Sequence, residues 1–215
     1  VGSAAASGCS AAGWRVAVVD DQSYGGTCAQ RGCDPKKVLV GAADAVDWAR
    51  RMHGHGIAGD ARIDWAALMR FKRTFTEPVP ARHEAELEKS GVVTHHGTAR
   101  FIAADSMVVT TVDGQEHELH SAHFLIASGA EPVRLGIPGE QFVRSSTDFL
   151  DLDELPPRIA FIGGGYISFE FAHLVQRAGA QASVLGRGTP LGHFDSDLVE
   201  RLVAHTRAVG IDLRT

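Results

Sequence analysis

Residues 158–185 narrow the fold more than any other stretch. Arg158 to Ile162 is apolar and β-branched, Gly163-Gly164-Gly165 follows at once, Tyr166 to Ala178 suits a helix, and Ala182 to Leu185 is apolar again. Strand, glycine turn, helix and second strand in this order make a βαβ unit with parallel strands. Within it Gly163-x-Gly165-x-x-Ser168 fits the dinucleotide fingerprint. The first glycine permits the tight turn, the second lets a pyrophosphate approach the backbone, and the third position needs a small residue, here Ser168, for helix–strand packing. Phosphates would rest on the free N–H groups of the helix N-terminus, where the dipole favours anions. A glycine turn that serves packing alone is the alternative. About 20 residues further on the fingerprint expects an acid for the ribose of NAD, but the second strand ends Leu185-Gly186-Arg187. An arginine there suits a 2′-phosphate and favours NADP over NAD; a surface arginine with no ligand is the other reading.

Composition sets the outer bounds. At roughly 150 residues per domain, a chain of 215 residues is one and a half domains, which predicts two small α/β units or a cut piece. Lys+Arg 21 against Asp+Glu 26 leaves a net charge of -5, so no global basic surface exists to hold a polyanion and nucleic acid is not an expected partner. Hydrophobic residues at 44% and charged residues at 22% suit a globular chain with a real core. No stretch approaches the ~18 apolar residues of a membrane span, and the first residues carry neither a basic n-region nor a long apolar h-region. The expectation is a cytoplasmic protein with no membrane partner. The 3 cysteines are too few for a disulfide framework.

Arg15 to Asp20 (RVAVVD) reads as a buried parallel strand, after a small-residue stretch, Ala4 to Ala12, that suits a helix. From Pro35 to Met52 the residues Val38, Leu39, Ala42, Val46, Ala49 and Met52 recur at three- and four-residue steps, an amphipathic stripe. Asp64 is the expected N-cap of another helix, with Ala67, Leu68 and Phe71 inward. Pro78 and Pro80 break it, and a helix over 81–89 stops at Gly91. From Val92 to Ala127 alternation predicts a β-meander, with Asp113-Gly114 as a two-residue hairpin turn. The acidic stretch from Ser145 to Pro156-Pro157 is the expected domain boundary. His117, His120 and His123 read as solvent-facing, with no metal role.

Near the start, Gly2-Ser3-Ala4-Ala5-Ala6-Ser7 has one glycine where the fingerprint wants three, and only Val1 stands in the place of a first strand. The helix there can hold about nine residues, ~13 Å at 1.5 Å per residue, short against a strand of ~17–20 Å. Asp20 ends its strand as a ribose-binding acid would, although a loop-initiating acid fits equally well. The most informative stretch is Gly25 to Lys37, GGTCAQRGCDPKK. Cys28 and Cys33 can face one another at the start of a helix, whose positive end, with nearby lysines, favours the thiolate. Such a pair can cycle between dithiol and disulfide. A zinc site is a rival reading, though structural zinc usually takes four ligands in two close pairs; two buried, unreactive cysteines are another.

GGTCAQRGCDPKK resembles the redox-active segment of the pyridine nucleotide-disulfide oxidoreductases, the group of glutathione reductase, mercuric reductase and dihydrolipoamide dehydrogenase. The resemblance extends through the acid-ended strand, the helices, the meander, the segment Ala127-Ser128-Gly129-Ala130-Glu131-Pro132 and the fingerprint GGGYISFEFA. It implies an α/β fold of FAD/NAD(P)-binding Rossmann-like three-layer domains with a β-meander, incomplete at both ends. Residues 1–150 would be the N-terminal part of an FAD-binding domain without its first strand, and 151–215 the start of an NAD(P)-binding domain. The family's dimerisation domain, which makes it a homodimer and supplies a His-Glu acid-base pair, would be absent.

The resemblance also implies roles. Cys28 would be the interchange thiol that attacks a small-molecule disulfide (or metal-ion) substrate, and Cys33 the flavin-side thiolate. Lys36 or Lys37 would reach the flavin N5 region and pair with Glu170. Gly2, Gly26 and Thr27 would lie on the FAD phosphates, Asp20 on its ribose, Thr98 and Ala99 on the adenine side, and Ser128 and Gly129 under the cofactor. Gly163, Gly165, Tyr166, Ile167 and Arg187 would serve the nicotinamide nucleotide, with Tyr166 over the nicotinamide pocket. Gly192 stands where a second arginine is known in glutathione reductase, which weakens the case for NADP. The rival expectations are a catalytically incompetent nucleotide-binding fragment and a thiol- or metal-binding module without flavin.

Overall fold

The computed structural model describes residues 1–215. In chain order the elements are α1 (Gly2–Ala11), β1 (Val16–Asp20), α2 (Gly26–Arg31), α3 (Cys33–Arg51), α4 (Trp65–Thr76), α5 (Val79–Lys89), β2 (Val92–His96), β3 (Thr98–Ala103), β4 (Ser106–Thr110) and β5 (Glu116–His120), followed by α6 (Ser146–Leu150), β6 (Arg158–Ile162), α7 (Tyr166–Arg177), β7 (Gln181–Leu185), α8 (Ser196–Ala208) and β8 (Asp212–Arg214). They form two compact units: residues 1–30 with 75–143, and 31–74 with 144–215. The linear division at 150/151 expected from the proline pair therefore differs from the division by contact, because the segment 31–74 packs with the C-terminal part of the chain.

In the first unit β1 and β2 are parallel, with Val16 opposite Val92 and Asp20 opposite His96. Ala6, Tyr24, Leu87 and Val92 form a small core against Val16 and Val18. The strand β1 is only half-buried, with Ala17 exposed, where full burial was expected. The strands β3, β4 and β5 form a separate antiparallel sheet, so the meander begins at Thr98 and not at Val92. Its β4–β5 turn is longer than the two residues expected. Thr111 N–H donates to Gln115 O at 2.9 Å and Gly114 N–H to Thr111 O at 2.9 Å, with Gly114 at φ 81, the three-residue hairpin that ends in a left-handed residue. The third run of the meander stops at His120, and Phe124 to Ala127 is not a strand. His117, His120 and His123 are exposed, as read from the sequence.

In the second unit β6, β7 and β8 are parallel neighbours in that order, with Ile162 opposite Leu185. The predicted strand–helix–strand bounds match the observed ones within a residue or two; α8 and β8 extend the unit. The helix α3 buries Pro35, Leu39, Ala43 and Val46, a stripe rotated from the one expected, since Val38, Ala42 and Ala49 are only partly buried and Met52 is exposed. Asp64 does initiate α4, its Oδ1 accepting Ala67 N–H at 2.9 Å. The fully buried face, however, is Trp65, Met69, Lys72 and Thr76; of the residues expected inward, Leu68 packs partly buried against the core and Ala67 is partly buried, but Phe71 is exposed. A lysine at an inward position hides that face from a reading of apolar periodicity. Lys72 is 1% exposed; its Nζ donates to Leu150 O at 2.8 Å and Asp151 Oδ1 at 3.1 Å, a cation at the negative C-terminal end of α6. Around it Phe149 packs on Phe171 at 4.2 Å between ring centroids, and Trp65 Nε1 donates to Leu152 O at 2.8 Å.

The helices α7 and α8 meet through His173, whose Nε2 lies 2.9 Å from Thr206 Oγ1. Thr206 spends its own proton on Leu202 O at 2.7 Å, so His173 is the donor. Burial, then the charge of Arg177, then His205 push its pKa down to about 4. The unfolded chain takes up this proton near pH 6.5 and the folded chain does not until about 4. Stability is therefore full above pH 6.5 and falls as pH drops from 6.5 through 4. Urea unfolding at a series of pH values should show this decline, and His173→Gln should flatten it.

Candidate active site

The cysteine segment crosses from one unit to the other. Its glycine pair has a steric cause: Gly25 sits at φ +119, and a Cβ there would lie 2.5 Å from Val79 Cγ1, a position no other residue can fill without displacement. Gln30 Nε2 donates to Ser23 O at 2.9 Å and Tyr24 O at 2.8 Å, pinning the turn. Gly26 and Thr27 open α2, exposed, and Cys28 follows on the same short helix, also exposed. Gly32 precedes α3, and Cys33 is the first residue of that 19-residue helix, exposed at the end that attracts anions.

Along α3, Lys36 and Lys37 separate. Lys36 Nζ pairs with Glu170 Oε2 at 2.5 Å and lies 5.4 Å from the centre of the Tyr166 ring, while Lys37 is exposed. Tyr166 and Glu170 are four residues apart on α7 and so share one helix face. The sequence left both lysines open; helical rotation of about 100° per residue decides for Lys36, which flanks the buried Pro35.

At the fingerprint, Gly163 has φ +118, and its N–H donates to Leu185 O at 2.8 Å, closing the turn onto β7. Gly165 caps α7 with no side-chain hydrogen bond to the helix end, and a Cβ there would meet nothing within 4 Å. Tyr166 and Ile167 follow in the exposed first turn. A cleft of about 290 Å³ is lined by Gly165, Tyr166, Arg187, Leu191, Gly192 and His193 among others. Leu191 sits at φ 53, where a branched side chain is strained; its N–H donates to Gly164 O at 2.8 Å and its side chain is buried. Neither apolar Leu191 nor the isolated His193 carries a motif that marks it in the sequence. Open backbone, uncapped N–H groups and a guanidinium in one cleft fit a nucleotide phosphate.

In the first unit Gly2 begins α1, and a Cβ on it would lie 3.2 Å from Ala127 Cβ. Ser128 and Gly129 follow Ala127, exposed, with Gly129 at φ 81. Asp20 is the last residue of β1. Its Oδ1 accepts Gln22 N–H at 3.0 Å, the loop-initiating contact. Gly97 N–H donates to Asp20 O at 3.0 Å, which brings Thr98 and Ala99 at the start of β3 beside the end of β1. Buried Tyr24 stitches the two parallel strands: its hydroxyl lies 2.8 Å from His95 O and 3.1 Å from Val18 O and accepts His95 N–H at 3.0 Å. Burial pushes its pKa up to about 12. The acid at the strand end and the open Gly26, where a Cβ would meet nothing within 4 Å, fit a dinucleotide's ribose and phosphates.

A parallel α/β unit with a glycine turn, an open helix end and a cationic cleft, following a Cys-x-x-x-x-Cys segment with both cysteines exposed, is the architecture of a Rossmann-like α/β protein. The sequence profile described as pyridine nucleotide-disulphide oxidoreductase matches residues 2–215, and the chain belongs to that family. It is 33% identical over 204 residues to a glutathione reductase of Burkholderia cepacia, covering 94% of this chain and 44% of that protein. It is 32% identical over 174 residues to a dihydrolipoyl dehydrogenase of Chlamydia pneumoniae, covering 80% and 37%. The solved Cu(II) complex of the HOCl-induced flavoprotein disulfide reductase RclA from Escherichia coli superposes with a TM-score of 0.84 at 28% identity, covering 99% of this chain and 46% of that one. The fold is thus α/β and Rossmann-like, and the chain spans under half the length of these relatives. The family's enzymes are flavoprotein disulfide oxidoreductases that use FAD and a nicotinamide cofactor. No helix is long and apolar enough to cross a membrane.

The Gly25 geometry yields a direct check. Gly25→Ala combines the left-handed strain with the clash on Val79 and should lower unfolding stability by about 1–3 kcal/mol, measured by denaturant unfolding.

Proposed function

We propose that this chain is part of a cytoplasmic NADPH:disulfide oxidoreductase in which Cys28 and Cys33 form the redox-active pair. FAD and NADPH, when bound, supply the two electrons that return the pair to its dithiol form. Asp20, Gly26, Thr27, Thr98, Ala99, Ser128 and Gly129, with Gly2 at the start of α1, would hold the flavin nucleotide. Gly163, Gly165, Tyr166, Ile167 and Arg187 would hold the nicotinamide nucleotide. In the pair's own chemistry the Cys28 thiolate attacks one sulfur of a small-molecule disulfide, whose S–S bond breaks and whose second half leaves as a thiolate that takes up a proton. The Cys33 thiolate then attacks Cys28 Sγ, releasing the other half and closing Cys28–Cys33. Two electrons leave the dithiol and reduce one substrate disulfide to two thiols.

The observation that carries this reading is the Lys36–Glu170 pair at 2.5 Å, one helical turn along α3 from Cys33. A half-buried ammonium held by a carboxylate and lying beside Tyr166 is a fixed positive charge, suited to stabilising the anionic charge of a reduced ring system. Lys36 would fill that role and Lys37 would not. Arg187 supports NADP over NAD, since the 2′-phosphate is the group a guanidinium distinguishes. A homodimer, with the acid-base partner of Cys28 on another part of the longer protein, follows the family's pattern.

Visible spectra of the purified chain with FAD test the assignment. Reduction by two electrons should raise a long-wavelength thiolate–flavin band that Cys33→Ser abolishes and Cys28→Ser leaves in place. Loss of the band in Cys28→Ser alone would reverse the two roles, and a chain that takes up no flavin would overturn the reading. For the second nucleotide, Arg187→Ala should weaken 2′,5′-ADP by roughly ten-fold while leaving 5′-ADP unchanged, read by calorimetry.

A further inference from the structure

Away from the thiols and the glycine turn, the first unit brings a serine, a histidine and a glutamate together in succession. His83 and Glu86 lie three residues apart on α5 and share one face of that helix. Ser3 lies in the first turn of α1. Between the two helices His83 Nε2 stands 2.9 Å from Ser3 Oγ, and His83 Nδ1 stands 3.9 Å from Glu86 Oε2. The carboxylate favours the ring proton on Nδ1, which leaves the Nε2 lone pair to accept the Ser3 hydroxyl proton. A hydroxyl on an imidazole that a carboxylate orients is the arrangement that makes serine a nucleophile.

The three side chains line one cleft of about 320 Å³, together with Ala4, Ser7 and Leu87. Buried Leu87 gives it an apolar side. Neither lysine nor arginine lines it, so a cleft holding Glu86 suits a neutral ligand and not a phosphate. Helical side chains lean toward the N-terminus, which sets Ser3 Oγ on the side of the first-turn N–H groups. Those groups have no acceptor within the helix, and the Val1 side chain does not cap them. Such donors stabilise the oxyanion of an acyl transfer. Gly2, about 100° away around the helix, is turned to Ala127 instead.

We propose that the cleft between α1 and α5 is an esterase site for small neutral carboxylic esters, with Ser3 as nucleophile, His83 as general base and Glu86 as the residue that positions His83. Ser3 Oγ attacks the carbonyl carbon while His83 Nε2 takes its proton. The bond from that carbon to the alcohol oxygen breaks, and the alcohol leaves with the proton from His83. Water, deprotonated by His83, then attacks the acyl-serine, releasing the carboxylic acid and restoring Ser3. The site uses neither Cys28 nor Cys33 and does not rest on the flavin reading.

The test uses the full chain with its thiols first alkylated, so that cysteine does not react in place of serine. A fluorophosphonate probe, located by peptide mass spectrometry, should label Ser3, and p-nitrophenyl acetate should be turned over; Ser3→Ala should abolish both. His83→Gln keeps a hydrogen-bonding partner for Ser3 but supplies no base. It should lower the labelling rate and kcat by roughly 100-fold or more while the urea midpoint stays in place. Glu86→Gln should lower kcat less than His83→Gln does and leave KM unchanged. A probe that does not reach Ser3, or that labels it as fast in His83→Gln as in the unaltered chain, overturns the proposal. An unchanged kcat in Glu86→Gln overturns the role of Glu86.

Discussion

The packing of α3 on α7 is the contact on which the second unit depends. It joins residues 134 apart in the chain, Lys36 and Glu170, and it makes the segment 31–74 part of a unit otherwise built from 144–215. The contact has an apolar and a charged part. Leu39 and Ala43 of α3 belong to the same buried cluster as Phe169, Phe171 and Ala172 of α7. At the rim of that apolar surface the ammonium of Lys36 meets the carboxylate of Glu170 instead of being left alone in a partly dry environment. Because Cys33 opens α3 and the glycine turn opens α7, this one packing places the helix that begins at Cys33 and the helix that follows Gly165 in the same compact unit.

The first unit solves a different problem. Only two strands make its parallel sheet, and its buried cluster is small, so polar contacts carry more of the alignment. Tyr24 supplies them by reaching across both strands with one hydroxyl, at the end where Asp20 and His96 emerge. Burial raises the pKa of this phenol to about 12, so the hydroxyl stays a donor to the two strands' carbonyls.

The legibility of the sequence divided along local and non-local lines. The strand, glycine turn and helix from Arg158 to Arg177 were readable because their causes are local: β-branched residues, three glycines and a helical apolar repeat within some twenty positions. Asp64 as a helix start was readable for the same reason. The inward face of α4 was not, since Lys72 occupies it and becomes tolerable only when Leu150 O and Asp151 arrive from 78 and 79 residues away. Alternation alone does not place Val92 to His96, because parallel and antiparallel strands share it and only the partner strand, here β1, distinguishes them. Phe124 to Ala127 has strand-like composition, but no neighbouring strand pairs with its backbone.

By itself the sequence determined the chemistry available to this chain: two cysteines five apart, a lysine pair after them, an acid at one strand end and an arginine at another. It also determined the family, because the cysteine segment joins unusual residues at fixed spacing. What only the tertiary structure decided was which of these groups meet. Lys36 and not Lys37 faces Glu170, Arg187 shares a cleft with Gly165 and His193, and His96 stands beside Asp20. The physical reason is that residue type and short-range periodicity act within a turn or two of helix, whereas pairing between groups many tens of residues apart is set by strand register and helix rotation, which the whole packed unit fixes together.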